Sequence, residues 1–190
     1  MAAKSRIIVG ITGATGIVYG IRLLEFLQGT DIETHLVVSK PGELTRAHET
    51  NVTADDLRKL ATVSYNVSDV GAAIASGSFR TMGMVVAPCS IRTLSEIANA
   101  GASNLLTRAA DVVLKERRRL VLLVRETPLH AGHLKNMLAV TEAGGIIAPP
   151  VPAFYTGATT IDDLVSHTVG RVLDLFDIEH DHIERWGETN

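Results

Sequence analysis

The sequence predicts a three-layer α/β protein built on a doubly wound parallel sheet, and three observations predict it. Short apolar runs recur at Ile7–Ile11, Ile32–Val38, Thr81–Pro88, Leu120–Val124 and Gly145–Ala148, each the length of a buried strand and too short for most helices. Between them lie segments whose apolar residues repeat every three or four positions, as Ile17, Ile21, Leu24 and Leu27 do. That alternation gives parallel strands joined by crossover helices. Aromatic residues make up only 4% while Ala, Val, Ile, Leu and Gly abound, so the core consists of small and branched side chains that suit helices packed closely on a parallel sheet.

The first unit organises the rest. Ile7–Ile11 breaks at Gly10, Gly13 and Gly16 and passes at once into the helix that Ile17 opens. A strand, a glycine turn and a helix start point unpaired N–H groups at an anion, so this turn is expected to hold a phosphate. The alternative is a tight βα turn with no ligand. No Lys follows Gly16, which excludes a P-loop, and the even spacing of the three glycines is not the Gly-x-Gly-x-x-Gly fingerprint. The second strand ends in Ser39 and Lys40, where an NAD site would place an acid for the ribose. A mononucleotide phosphate fits better than a dinucleotide.

Further along, Ser39 to Gly42 reads as a turn, Glu43 to His48 as the opening of a helix, and Thr53 as the cap of a helix with acids in its first turn. Residues 65 to 78 are small, polar and glycine-bearing, hence a loop. Cys89 to Thr93 is expected to lead into a helix through Leu94 and Ile97, and further helices are expected over Asn104–Glu116, over His130–Glu142, and from about Thr160 to Phe176. Residues 177–190 read as a tail on a single domain spanning 1–190. In a doubly wound sheet, ligands bind beyond the carboxyl ends of the strands. Five strands thus bring Thr12 to Thr15, Ser39, Cys89 to Thr93, Arg125 with Glu126, and Pro149 to Tyr155 to one rim.

Composition narrows the function. A net charge of −3 offers no electrostatic case for nucleic acid or an anionic membrane, and no apolar run approaches a membrane span. One cysteine excludes an intrachain disulfide, and the amino-terminal residues lack the apolar stretch of a secretion signal, so a cytoplasmic protein is expected.

Ser39, Ser90 and Thr93 are each good helix caps; three hydroxyls at successive strand ends also suit a phosphate or a flavin edge. Arg125 and Glu126 either pair with each other or divide the work, Arg125 holding an anion and Glu126 moving a proton. Cys89 reads as a buried thiol rather than a nucleophile. The pairs His130/His133 and His180/His182 lack the Cys, Asp or Glu company of a metal centre, so no metal is expected. The cations of 115–119 would end a helix in solvent, or reach a phosphate across a subunit interface.

Seven motifs carry a resemblance. The runs Gly10–Gly16, Ser76–Phe79, Ala87–Ser90, Arg108–Arg118, Val124–Leu129, Pro149–Tyr155 and Val169–Asp174 resemble those of the flavin prenyltransferases of the UbiX type, over about Arg6 to Phe176. The resemblance implies a flavodoxin-like, Rossmann-like fold assembled as a homododecamer. It implies transfer of the dimethylallyl group of dimethylallyl phosphate to N5 and C6 of reduced FMN, giving prenylated FMN for a partner UbiD-type decarboxylase. By motif match, Gly13, Ala14, Thr15, Ser39, Ser90, Thr93 and Arg125 would contact FMN. Lys115, Tyr155 and Arg171 would hold the prenyl phosphate, some from neighbouring subunits. Glu126, Thr15 and Lys115 would be the catalytic set, with Glu126 in proton transfer. Thr15 stands where the family usually has Ser, which keeps the hydroxyl and adds a methyl. Two other readings are weighed against it: a flavin-dependent cysteine decarboxylase, whose catalytic His and Asn motifs are missing here, and an FMN-binding carrier subunit without prenyl transfer.

Overall fold

The computed structural model describes residues 5–183, which fall into two compact units divided between Pro149 and Pro150. The first unit holds six parallel strands: β1 (Arg6–Ile11), β2 (Glu33–Val38), β3 (Val63–Tyr65), β4 (Gly83–Cys89), β5 (Arg119–Val124) and β6 (Ile146–Ile147). Its helices are α1 (Ile17–Leu27), α2 (Lys40–Glu49), α3 (Ala54–Lys59), α4 (Ile91–Ala98), α5 (Leu105–Lys115) and α6 (Ala131–Glu142). The sheet order is β3-β2-β1-β4-β5-β6, all parallel, as a doubly wound sheet requires. Going from β1 the chain winds outward through β2 and β3, then returns to lay β4 against the other side of β1. The turns after β1 and β4 therefore part company, and a crevice opens between them.

The strands form because both faces are covered. Ile8, Met84, Val86, Leu120, Leu122 and Val124 project into one buried cluster with Leu94 and Ile97 of α4 and Leu105, Leu106, Ala109 and Val113 of α5. Helices α2 to α6 each start on a side chain that accepts an otherwise unpaired N–H, whereas α1 starts on Gly16. Ser39 caps α2, Thr53 α3, Ser90 α4, Asn104 α5, and His130 α6 through its ring nitrogen.

Two expectations change. Ser39 to Gly42 is not a turn but the cap and first residues of α2, because Pro41 sits within its first turn, where a missing N–H costs nothing. The sheet has six strands, not five: Val63–Tyr65 is a three-residue edge strand inside a stretch too short and too mixed to show a period. The outermost strands on both sides, β3 and β6, are thus the shortest.

The second unit contains a 3-10 turn at Phe154–Thr156 and α7 (Ile161–Asp174), which begins in a capping box between Thr160 and Asp163. Val165, Val169, Val172 and Leu173 form its buried stripe. No helix among the described residues is long and apolar enough to cross a membrane.

Candidate functional site

The crevice between β1 and β4 is pinned by one buried side chain. Thr12 Oγ1 donates to the Pro88 carbonyl (2.8 Å) and accepts from the Ser90 N–H (2.7 Å), while the Thr12 N–H also reaches Pro88 (3.2 Å). Beyond this tie lies a cavity of about 360 Å³ whose lining includes Gly13, Ser39, Lys40, Ser90, Arg92 and Thr93. The starts of α2 and α4 both open into it. Ser39 Oγ accepts the Gly42 N–H (3.0 Å), and Ser90 Oγ accepts the Thr93 N–H (3.3 Å) and donates to Thr93 Oγ1 (3.1 Å). Ser39 and Ser90 thus cap helices and also line the cavity, and Thr93 lines it from the first turn of α4. Two helix N-termini with Lys40 and Arg92 beside them make a surface suited to a phosphate monoester.

The glycine turn itself is already occupied. Glu49, at the end of α2, accepts from the N–H groups of Gly16 (2.9 Å) and Ile17 (3.1 Å), the donors expected to hold a phosphate. A carboxylate thus meets the start of α1, while the starts of α2 and α4 open into the cavity. Burial pushes the Glu49 carboxyl up. Hydrogen bonds from the Thr15 side chain and those two N–H groups, together with the Arg125 charge, outweigh it and hold the group below the ordinary glutamate value. Thr15, Glu49 and Arg125 thereby form one electrostatic group across the ends of β1, α2 and β5. Nothing near Glu49 in the sequence marks it; the only signal was an acid at the end of a helix.

Glu49→Gln is expected to lower stability by about 1 kcal/mol near neutral pH, the worth of a charged acceptor at a helix N-terminus. A carboxyl held low stabilises the fold above its unfolded value of about 4.5 and loses that contribution as pH falls through the lower folded value. The gap between wild type and variant, measured by urea unfolding, should therefore close in acid; a gap that persists there would mean that charge is not what Glu49 contributes.

The remaining candidates are placed as follows. Ala14 and Thr15 lie in the β1–α1 turn. Arg125 and Glu126 are both exposed just past β5, the Arg125 N–H bonding the Cys89 carbonyl (3.1 Å) and Glu126 Oε1 accepting the N–H of Thr127 (2.9 Å). Cys89 is fully buried and burial drives its thiol pKa far up, which suits a core residue and not a nucleophile. Tyr155 and Arg171 belong to the second unit.

Lys115 stands apart. It ends α5, and the chain turns there to begin β5 at Arg119, so Lys115 lies at the amino edge of the sheet while Arg125 and Glu126 lie at the carboxyl edge. It contacts Glu116, whose carboxyl is held below its ordinary value first by the Lys115 hydrogen bond and charge. Close by, Arg118 donates to the carbonyls of Gly77 and Phe79, both at 2.7 Å, and so fixes the loop of Ser76 to Phe79 beside Lys115. Sequence reasoning missed this clamp, because Arg118 looked like one more cation at a helix end.

The chain matches the Flavoprotein family over residues 1–173. It is 55% identical over 181 residues to the flavin prenyltransferase UbiX of Thauera aromatica, covering 95% of this chain and 93% of that one. The mitochondrial flavin prenyltransferase PAD1 of Saccharomyces cerevisiae is 52% identical, with 95% of this chain and 75% of that one covered. Among solved structures, AnUbiX (PadA1) in complex with FMN and dimethylallyl pyrophosphate superposes with a TM-score of 0.96 at 50% identity, over 99% of this chain and 100% of that one. A dodecameric FMN-dependent UbiX-like decarboxylase from Escherichia coli O157:H7 gives 0.93 at 50% identity, over 95% and 98%.

Proposed function

The chain belongs to the Flavoprotein family and, within it, to the flavin prenyltransferases of the UbiX type, and from that premise we propose how its residues do the chemistry. The reaction joins the dimethylallyl group of dimethylallyl phosphate to N5 and C6 of reduced FMN. The observation that carries the reading is the single cavity into which α2 and α4 both open, with Gly13, Ser39, Ser90 and Thr93 on its walls. These residues would hold the FMN phosphate and the chain that follows it, with Ala14, Thr15 and Arg125 toward the ring. Bound there, reduced FMN supplies the electron-rich nitrogen and carbon that the allylic group alkylates.

The protein's part is electrostatic. Breaking the allylic C–O bond leaves a growing positive charge on carbon and a growing negative charge on the phosphate. Lys115, Tyr155 and Arg171 stabilise the departing phosphate with fixed donors, which lowers the barrier without a metal. N5 and C6 each lose a proton as they bond to carbon, and the alkene takes one up at the carbon beside the second bond; Glu126 moves one of these protons. Thr15, hydrogen-bonded to Glu49, keeps a hydroxyl facing the same region.

Lys115 can serve this site only from another copy, since its own rim is a strand's length away. An assembly, for which we propose the homododecamer, supplies it. The exposed face of α6 supports assembly: the helix buries only Val140 and leaves Leu134 at 53% and Leu138 at 58% exposure. We place the protein in the cytoplasm as one flavoprotein domain that hands prenylated FMN to a UbiD-type decarboxylase.

Anaerobic incubation with reduced FMN and dimethylallyl phosphate tests the activity. Mass spectrometry should find flavin plus one five-carbon unit; unmodified flavin would leave only the carrier reading. Glu126→Gln is expected to keep FMN affinity and slow product formation by about 10²-fold or more, the usual worth of a positioned proton donor or acceptor. Undiminished turnover would remove Glu126 from the mechanism.

A further inference from the structure

We propose that Asp174 and His180 are positioning residues that preset the Arg171 guanidinium for the prenyl phosphate. The inference rests on the reading of Arg171 as a ligand of that phosphate. All three residues lie in the second unit, and their contacts form one line from the interior outward. His180, its side chain 3% exposed, meets Asp174 Oδ1 through Nε2 at 3.1 Å. Asp174, 15% exposed, accepts from Arg171 Nη1 on its other oxygen at 2.5 Å. Arg171 itself is 57% exposed.

The ring's tautomer follows from its second contact. The backbone N–H of His182 points at His180 Nδ1 (3.3 Å), and an N–H can only donate. Nδ1 is therefore the acceptor, the hydrogen sits on Nε2, and His180 donates to Asp174. A donor on one carboxylate oxygen fixes the rotamer of Asp174 and leaves the other oxygen aimed at Arg171. One guanidinium nitrogen is thereby anchored, and the remaining N–H donors face outward in a fixed fork, the form in which arginine grips a phosphate. An ordinary exposed pair at this spacing on a helix has no buried imidazole behind it.

A second feature shows that the segment carrying His180 is seated by design of the helix. A Cβ at Gly170 would come 2.4 Å from Ile183 Cγ2 and 3.0 Å from His180 Cε1, so only glycine lets residues 180–183 lie down on α7. One turn before Arg171, His167 meets the Tyr155 ring edge-on (6.0 Å between centroids), and its pKa is lowered by burial and then by the Arg171 charge. Tyr155, His167 and Arg171 thus share one face, the face on which a phosphate held by Tyr155 and Arg171 would sit.

The test is steady-state kinetics of the full chain with reduced FMN saturating and dimethylallyl phosphate varied. His180→Leu removes the donor, His180→Gln returns an N–H donor near Nε2, and Gly170→Ala dislodges the segment while changing none of the three side chains. The leucine and alanine variants should each lower kcat/KM for dimethylallyl phosphate about 10-fold, with FMN affinity within about twofold, and the glutamine variant should restore kcat/KM. An unchanged kcat/KM in His180→Leu, while Arg171→Ala lowers it, would overturn the positioning role and leave Arg171 as a ligand. A parallel loss of FMN affinity in His180→Leu, with no rescue by glutamine, would overturn it in favour of a purely structural contact. If Arg171→Ala alters neither KM nor kcat, the reading of Arg171 fails first.

Discussion

Lys115→Ala and Glu126→Gln chains, each nearly inactive alone, are expected to regain about a quarter of wild-type turnover when co-assembled in equal amounts, since a closed assembly mixes the two at random. The reason is the direction of α5. A helix that leads into a parallel strand runs against it, so its last residue and the strand's first residue share an edge of the sheet. Arg119 opens β5 beside Gly83 of β4, and Lys115 lies four residues before it. Glu126 lies past Val124 at the other end, and a six-residue strand spans about 20 Å. No lysine side chain bridges that distance. With the roles proposed for these residues, a complete site takes its lysine from one copy and its glutamate from another, and half of each supply is intact in the mixture. If both residues served the same chain's site, every site in the mixture would lack one of them and turnover would stay at background.

Gly20→Ala is expected to lower stability by about 2–3 kcal/mol, with a fall of roughly 5–10 °C in the thermal midpoint for a chain of this size. On an open helix face the same change stabilises, because alanine is the better helix former. Here the added carbon would stand 2.4 Å from the Ala87 carbonyl oxygen and within 2.9 Å of two Ile11 side-chain atoms. The first of these is the backbone of a central strand, one residue before the carbonyl that Thr12 binds, and it has no room to give. α1 must lift instead, carrying the β1–α1 turn away from the cavity. FMN affinity should therefore fall together with stability. An unchanged or raised midpoint would show that α1 does not approach β4 this closely.

Much of this architecture was legible in the residues. Five of the six strands announce themselves as apolar runs because both of their faces are covered, and the capped helices follow from Ser90, Asn104 and Thr160. The rim with Ser39, Ser90, Thr93, Arg125 and Glu126 followed from the carboxyl ends of parallel strands alone. What escaped has physical causes. Strand β3 is three residues of half-covered edge, with no burial to impose a pattern. The opening of α2 was hidden by Pro41 and Gly42, residues that mark turns as often as helix starts. The carboxylate of Glu49 arrives from 33 positions downstream of Gly16, and no local spacing can signal a contact made by the fold. Arg171 lies inside an ordinary helix and entered only through the resemblance. The pair behind it could be found only in coordinates, since nothing in the string of residues says that His180 turns back over Gly170.

The two ends of the sheet are its briefest members, three residues in β3 and two in β6. A border so short offers a neighbour almost no ladder of free amides and carbonyls to extend. Growth of the sheet from molecule to molecule, the route to fibres, is thus denied at both margins. Copies of this chain are left to meet through helix faces and loops, contacts that a finite shell can close and an endless ribbon does not need.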